Sequence, residues 1–218
     1  MHLLAARQED LDAGPQAVDL GQSPADLVVL SFSDSDLTAL AACWKRHRDT
    51  LPTLRLANLA RLGHPLSVDL YVDSVIRKAK LVVLRLLGGA GYWRYGLDHV
   101  AAACRESGVA LAVLPGCAQP NPALEGYGTV PAEAAQRLWR CFTEGGPDNM
   151  ANLLAYAATL AGQERPWREP APVPRFGVYE GWSGHVTGPC APVVFYRSHL
   201  LAGDLEPVHA LCDALAAR

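Results

Sequence analysis

Short apolar runs alternate with stretches of helical periodicity along most of the chain. Leu3–Ala6 has the character of a first strand, and a polar stretch bearing Gly and Pro leads from it to Leu27–Phe32. The Leu-Val-Val-Leu core of that second run has no polar alternation, the pattern of a strand covered on both faces, as in a parallel sheet. Ser33 or Asp34 caps a following helix on which Leu37, Leu40, Ala41 and Trp44 recur at helical spacing, with Lys45, Arg46 and Arg48 suited to its C-terminus. Thr53–Ala57 predicts another strand, and Ser67 a helix running through Lys80 with Tyr71, Val75 and Ala79 along one stripe. Leu81–Leu87 is the most continuous apolar run, interrupted only by Arg85 and ended by Gly88-Gly89. Leu97, Val100, Ala101 and Cys104 then form a helical face stopped at Ser107-Gly108, and Val109–Leu114 is a further strand ended by Pro115-Gly116.

Three strand-to-helix steps in succession predict an α/β fold, a flavodoxin-like open and mostly parallel sheet with flanking helices and right-handed crossovers. Two helices follow, Pro131–Thr143 and Pro147–Leu160, each with proline in the first turn, where its missing N–H costs nothing, and Glu144-Gly145-Gly146 breaks between them. Residues 162–175 carry four prolines and read as a linker. Phe176–Tyr179 and Val193–Tyr196 predict short strands, and a helix over Asp204–Ala217 closes the chain. The expected organisation is a head domain over 1–161, a proline-rich linker over 162–175, and the start of a second α/β unit over 176–218.

Composition narrows the class. Half of the 218 residues are hydrophobic and 19% are charged, enough apolar side chain to exclude disorder throughout. The net charge of −3, with no basic run, argues against nucleic acid as a partner. Six cysteines without a CxxC suit small buried hydrophobes in a reducing compartment. No signal-peptide pattern opens the chain and no apolar run approaches the ~20 residues of a membrane span. A cytoplasmic protein without membrane contact is expected.

Familiar catalytic patterns do not match. Gly89-Ala90-Gly91-Tyr92-Trp93-Arg94 follows GxGxxG for two glycines and then puts Arg94 where the third must pack against the sheet, which speaks against a nucleotide-dependent oxidoreductase. There is no P-loop, no HExxH and no GxSxG. Asp34 and Asp36 suit an acid–base pair or helix capping, and His64, in a loop before Pro65, is the histidine best placed to bind a ligand. Arg85 to Tyr95 is the segment richest in binding chemistry, with two guanidiniums and three aromatics at or beyond the end of a central strand. Tyr92, Trp93, Arg85 and Arg94 suit a flat ligand bearing carboxylates, and a helix start packed by its own aromatics is the alternative. Glu144 to Asn149 is a second candidate, although a plain helix-to-helix turn accounts for most of it.

Taken together, Leu56-Ala57-Asn58-Leu59, His64 to Val72, Ala79-Lys80, Arg85-Leu86-Leu87-Gly88-Gly89, Tyr92 to Gly96, Glu144-Gly145-Gly146-Pro147 with Asn149, Val194-Phe195-Tyr196-Arg197 and Leu201-Ala202-Gly203-Asp204 carry a resemblance. The chain resembles the N-terminal region of the large, CobN-type subunit of aerobic cobaltochelatase, which is related to the porphyrin-binding subunit of magnesium chelatase. The resemblance implies a tetrapyrrole substrate, hydrogenobyrinic acid a,c-diamide, cobalt(II) as the inserted metal, and two smaller AAA+ type partner subunits that hydrolyse ATP. It implies that the insertion residues lie downstream of the matching stretch, in the remainder of the large subunit. No catalytic residue, metal ligand or cofactor is therefore assigned to this chain, and substrate contacts are expected from Arg85, Tyr92, Trp93, Arg94 and His64. The competing expectation is a self-sufficient small-molecule binding or protein-interaction module.

Overall fold

The computed structural model describes residues 16–184 and 190–217; the strand expected at Leu3–Ala6 lies outside them. Four strands, β1 (Leu27–Ser31), β2 (Leu54–Asn58), β3 (Leu81–Leu86) and β4 (Ala110–Pro115), form one all-parallel sheet in the order β2-β1-β3-β4. This is the leading order of a doubly wound, flavodoxin-like sheet. The absence of polar alternation in β1 and β3 has a direct cause: every residue of both strands is buried. Val28, Leu30, Val82 and Leu84 pack under α2 (Pro65–Ser74) and α3 (Arg94–Ser107). Leu27, Val29, Leu81 and Val83 pack under α1 (Asp34–His47), α4 (Ala132–Glu144) and α5 (Pro147–Leu160).

Local chemistry sets most element ends. Ser33 caps α1 by accepting from the Asp36 N–H, and Gly108 ends α3 in the left-handed conformation. The start of α2 differs from expectation. His64, not Ser67, is the cap, its Nδ1 accepting from the Leu66 N–H at 3.1 Å. Pro65 supplies a helical φ at the first position, so the helix begins before Ser67, whose buried hydroxyl instead accepts from the Val18 N–H at 2.7 Å. The helix also ends at Ser74, and a 3₁₀ turn over Ile76–Lys78 leads into β3.

The segment after α5 departs further. Residues 162–175 hold no helix or strand, in keeping with their prolines, but they are strapped to the helices. The buried Asn149 amide donates to the Gly145 and Ala171 carbonyls at 2.7 and 2.8 Å and accepts from the Ala171 N–H at 3.0 Å. The Arg137 guanidinium lies over the Tyr156 and Trp167 rings and pairs with Glu169 at 2.7 Å. Neither Phe176–Tyr179 nor Val193–Tyr196 forms a strand, because among the described residues no strand stands beside either to supply a ladder. The expected closing helix is two, α6 (Arg197–Ala202) and α7 (Glu206–Ala216), separated by Gly203 at φ 67°. The expected second α/β unit is thus corrected to helices without strands among the described residues. The Gly146 N–H donates to the Leu201 carbonyl at 2.9 Å and the Leu201 side chain packs on Gly145, docking α6 against the head.

Candidate functional site

In an open parallel sheet, ligands bind beyond the carboxyl ends of the strands where successive connections leave in opposite directions. Here that point lies between β1 and β3, which are neighbours with Ser31 level with Arg85. The chain leaves β1 toward β2 through α1 on one face and leaves β3 toward β4 through α3 on the other.

On the α1 side a largely buried polar network lies at the strand ends. Arg85, 8% exposed, donates from Nη1 to Asp36 Oδ2, which also accepts from the Ser31 hydroxyl at 2.9 Å. Ser31 Oγ in turn accepts from the Ser33 N–H at 3.0 Å, joining the ends of β1 and β3 to the first turn of α1. The guanidinium carbon sits 4.8 Å from the Phe142 ring centroid, and Arg85 Nε is buried without an acceptor. A cavity of about 290 Å³ adjoins this network, lined by Ser35, Asp36, Arg85, Phe142, Gly145 and Leu201 among others.

On the α3 side the crevice is aromatic and open. Gly88 and Gly89 both adopt φ 77°, which turns the chain sharply out of β3 and into a 3₁₀ turn over Ala90–Trp93. Tyr92, 68% exposed, meets the Phe32 ring edge-on at a centroid distance of 5.1 Å. Trp93 points the other way, into the core under α2 and α3, with its indole N–H donating to the Leu62 carbonyl at 2.8 Å. Only glycine fits at position 96, since a Cβ there would lie 2.1 Å from the Trp93 ring. Arg94 is exposed and pairs with Asp98 one turn on, at 2.8 Å. Tyr95 donates to Asp69 at 2.8 Å and stacks on His99 at 4.1 Å. The Asp69 hydrogen bond pushes the Tyr95 phenol above its ordinary pKa.

Of the five residues expected to touch substrate, the fold leaves Tyr92 and Arg94 free to do so. Arg85 and Trp93 are engaged internally, and His64 is a helix cap. Three contributors were not expected as site residues: Phe32 and Ser31, which read as plain strand end, and Phe142, which read as helix face. Asp36 was noticed for another role, and nothing local in the sequence pairs it with the lone arginine of β3, 49 residues on.

A second cavity, about 350 Å³, lies along β4 between Val113, Leu124 and Val130 and the α4 residue Trp139, rimmed by Asn121 and Glu125. Among the described residues, no three His, Cys, Asp or Glu side chains converge as metal ligands, and no helix is long and apolar enough to cross a membrane.

Comparison with known proteins agrees with this fold. Residues 139–218 match the family model described as CobN/Magnesium Chelatase. Along its whole length the chain is 43% identical to the aerobic cobaltochelatase subunit CobN of a Sinorhizobium species and 36% identical to that of Pseudomonas aeruginosa, spanning 18% of the length of each. The catalytic subunit of cobaltochelatase from Mycobacterium tuberculosis superposes with a TM-score of 0.71 at 30% identity, over 88% of this chain and 15% of that one. A likeness that spans the whole sequence and the arrangement of the sheet places the chain in a family: it belongs to the CobN/magnesium chelatase family, of whose curated cobaltochelatase subunits it spans about a fifth.

Proposed function

We propose that this chain is the N-terminal part of a cobaltochelatase large subunit and that its crevice helps hold the tetrapyrrole, hydrogenobyrinic acid a,c-diamide, during cobalt(II) insertion in cobalamin biosynthesis. On this reading residues 1–161 are the head, 162–175 a strap, and 176–218 the approach to the next domain. Metal insertion belongs to the rest of the subunit, so the chain is inactive by itself and needs no cofactor of its own. Cobalt is substrate, ATP is hydrolysed by AAA+ type partner subunits, and the complex works in the cytoplasm.

The observation that carries the substrate reading is the exposed Tyr92–Phe32 pair at the switch point with Arg94 two residues on. An aromatic face offers stacking to a flat macrocycle, and an arginine on a solvated surface can exchange Asp98 for a substrate carboxylate. Arg85, Trp93 and His64 then shape the crevice without touching the ligand. A titration of hydrogenobyrinic acid a,c-diamide against this chain and its Tyr92→Ala/Arg94→Ala variant tests the assignment. Loss of one stacking contact and one charge-assisted pair predicts affinity weaker by roughly tenfold or more. Equal affinity of the two proteins would remove the site.

A further inference from the structure

Phe176–Tyr179 and Val193–Tyr196 have the composition of strands but join no sheet. Their outward side chains are almost fully solvated: Phe176 is 92% exposed, Val178 90%, Val194 92% and Tyr196 82%. The intervening residues turn inward. Tyr179 and Phe195 meet edge-to-face at 5.8 Å, and Tyr179 stacks on His209 of α7 with its hydroxyl 3.0 Å from Nε2. From Val193 to Ser198 the chain alternates half-buried and exposed, residue by residue. A period of two is the signature of a β-strand, and β-branched and aromatic residues favour it. Yet among the described residues no backbone-to-backbone hydrogen bond engages 176–179 or 193–195. Isolated exposed apolar side chains are ordinary, but four from two neighbouring β-patterned segments, with free backbone groups beside them, form a template for strand addition.

We propose that these segments are docking strands that pair with a β-sheet carried by the part of the large subunit outside this chain, burying Phe176, Val178, Val194 and Tyr196 against it. The inference rests on the proposed place of the chain in a cobaltochelatase large subunit. The occupant follows from length and position: some four-fifths of each curated relative lies outside the matched stretch, and the family match over 139–218 runs through both segments. The segments are also held in place, because Arg197 donates to the Val173 and Pro174 carbonyls at 2.8 and 2.9 Å and ties the second to the base of the first.

The test mixes this full chain with a separately produced polypeptide carrying the rest of the Sinorhizobium CobN subunit, read by sedimentation velocity and amide hydrogen exchange. Association is expected, with exchange at 176–179 and 193–196 slowed by more than about tenfold on binding. Val178→Pro/Val194→Pro, which removes two strand donors, is expected to weaken association by more than about tenfold. Its melting temperature alone should be unchanged, since neither amide is hydrogen-bonded to backbone among the described residues. Val178→Thr/Val194→Thr keeps the donors and should retain the slowed exchange. Association without slowed exchange, or equal binding by the proline variant, overturns the docking strands and leaves the large-subunit reading intact. No association by the unaltered chain overturns both. Slowed exchange in this chain alone at high concentration would assign the strands to a second copy and also overturn the inference.

Discussion

Arg85 is the one charged residue in a strand whose every position is buried, and its partner Asp36 lies 49 residues earlier in the chain. Removing either member leaves the other in a poorly solvated site, where breaking a buried pair typically costs about 3–5 kcal/mol. Arg85→Ala and Asp36→Ala should each lose stability of that order, while Arg85→Met/Asp36→Leu should lose less than the sum. Urea unfolding of the three variants measures this, and simple additivity would mean that the two side chains are not coupled. The interruption at Arg85 is visible in the sequence, but its partner is not, because nothing local ties the end of β3 to the first turn of α1. Trp93 makes the complementary point. Its place beside Tyr92 in sequence suggests a shared aromatic surface, yet the 3₁₀ turn sends one ring to solvent and the other into the core, where the Leu62 carbonyl satisfies its N–H.

Elements follow sequence closely where a covered face enforces periodicity. All four described strands lie within a residue or so of the expected runs, since an apolar run between two helical layers has only one arrangement that buries it. Boundaries moved where a cap was shared among candidates, as at His64 and Ser67, and elements were lost where no described strand lies alongside, as at Phe176–Tyr179. Residues 162–175 behave in an intermediate way. Their prolines forbid regular structure, but Asn149, 2% exposed, holds the strap through both amide groups. Asn149→Ala strands the Ala171 N–H and the Gly145 and Ala171 carbonyls. It should therefore cost about 1–3 kcal/mol and raise the rate of limited proteolysis within 162–175. Unchanged cleavage would shift the anchoring role to Arg137 and its aromatic box.

Across the whole molecule, the sheet separates two apolar layers, and cysteines report on each. Cys104 belongs to the α2–α3 layer, Cys43 and Cys141 to the α1–α4–α5 layer. Burial pushes the Cys104 and Cys141 thiols up to about 12, and raises Cys43 as well, whereas Cys117 and Cys190 are exposed. At neutral pH an alkylating reagent should modify Cys117 and Cys190 rapidly and spare Cys43, Cys104 and Cys141 until the chain unfolds, as mass spectrometry of the labelled peptides can verify. Because the Cys104 and Cys141 thiols ionise near pH ~8.5 once unfolded but only near 12 when folded, stability is undiminished below that unfolded value and falls as pH rises from there toward 12. Melting temperatures across that range check the sign. By itself the sequence determined the α/β class, the strands and most helices, because hydrophobic periodicity and glycine or proline punctuation act over a few residues. Only the tertiary structure decided that Arg85 and Trp93 turn inward while Tyr92 and Arg94 face solvent, that the proline segment is a strap, and that two strand-like segments stand unpaired. Each of those outcomes depends on the presence or absence of partners distant in the chain, and local patterning carries no information about them.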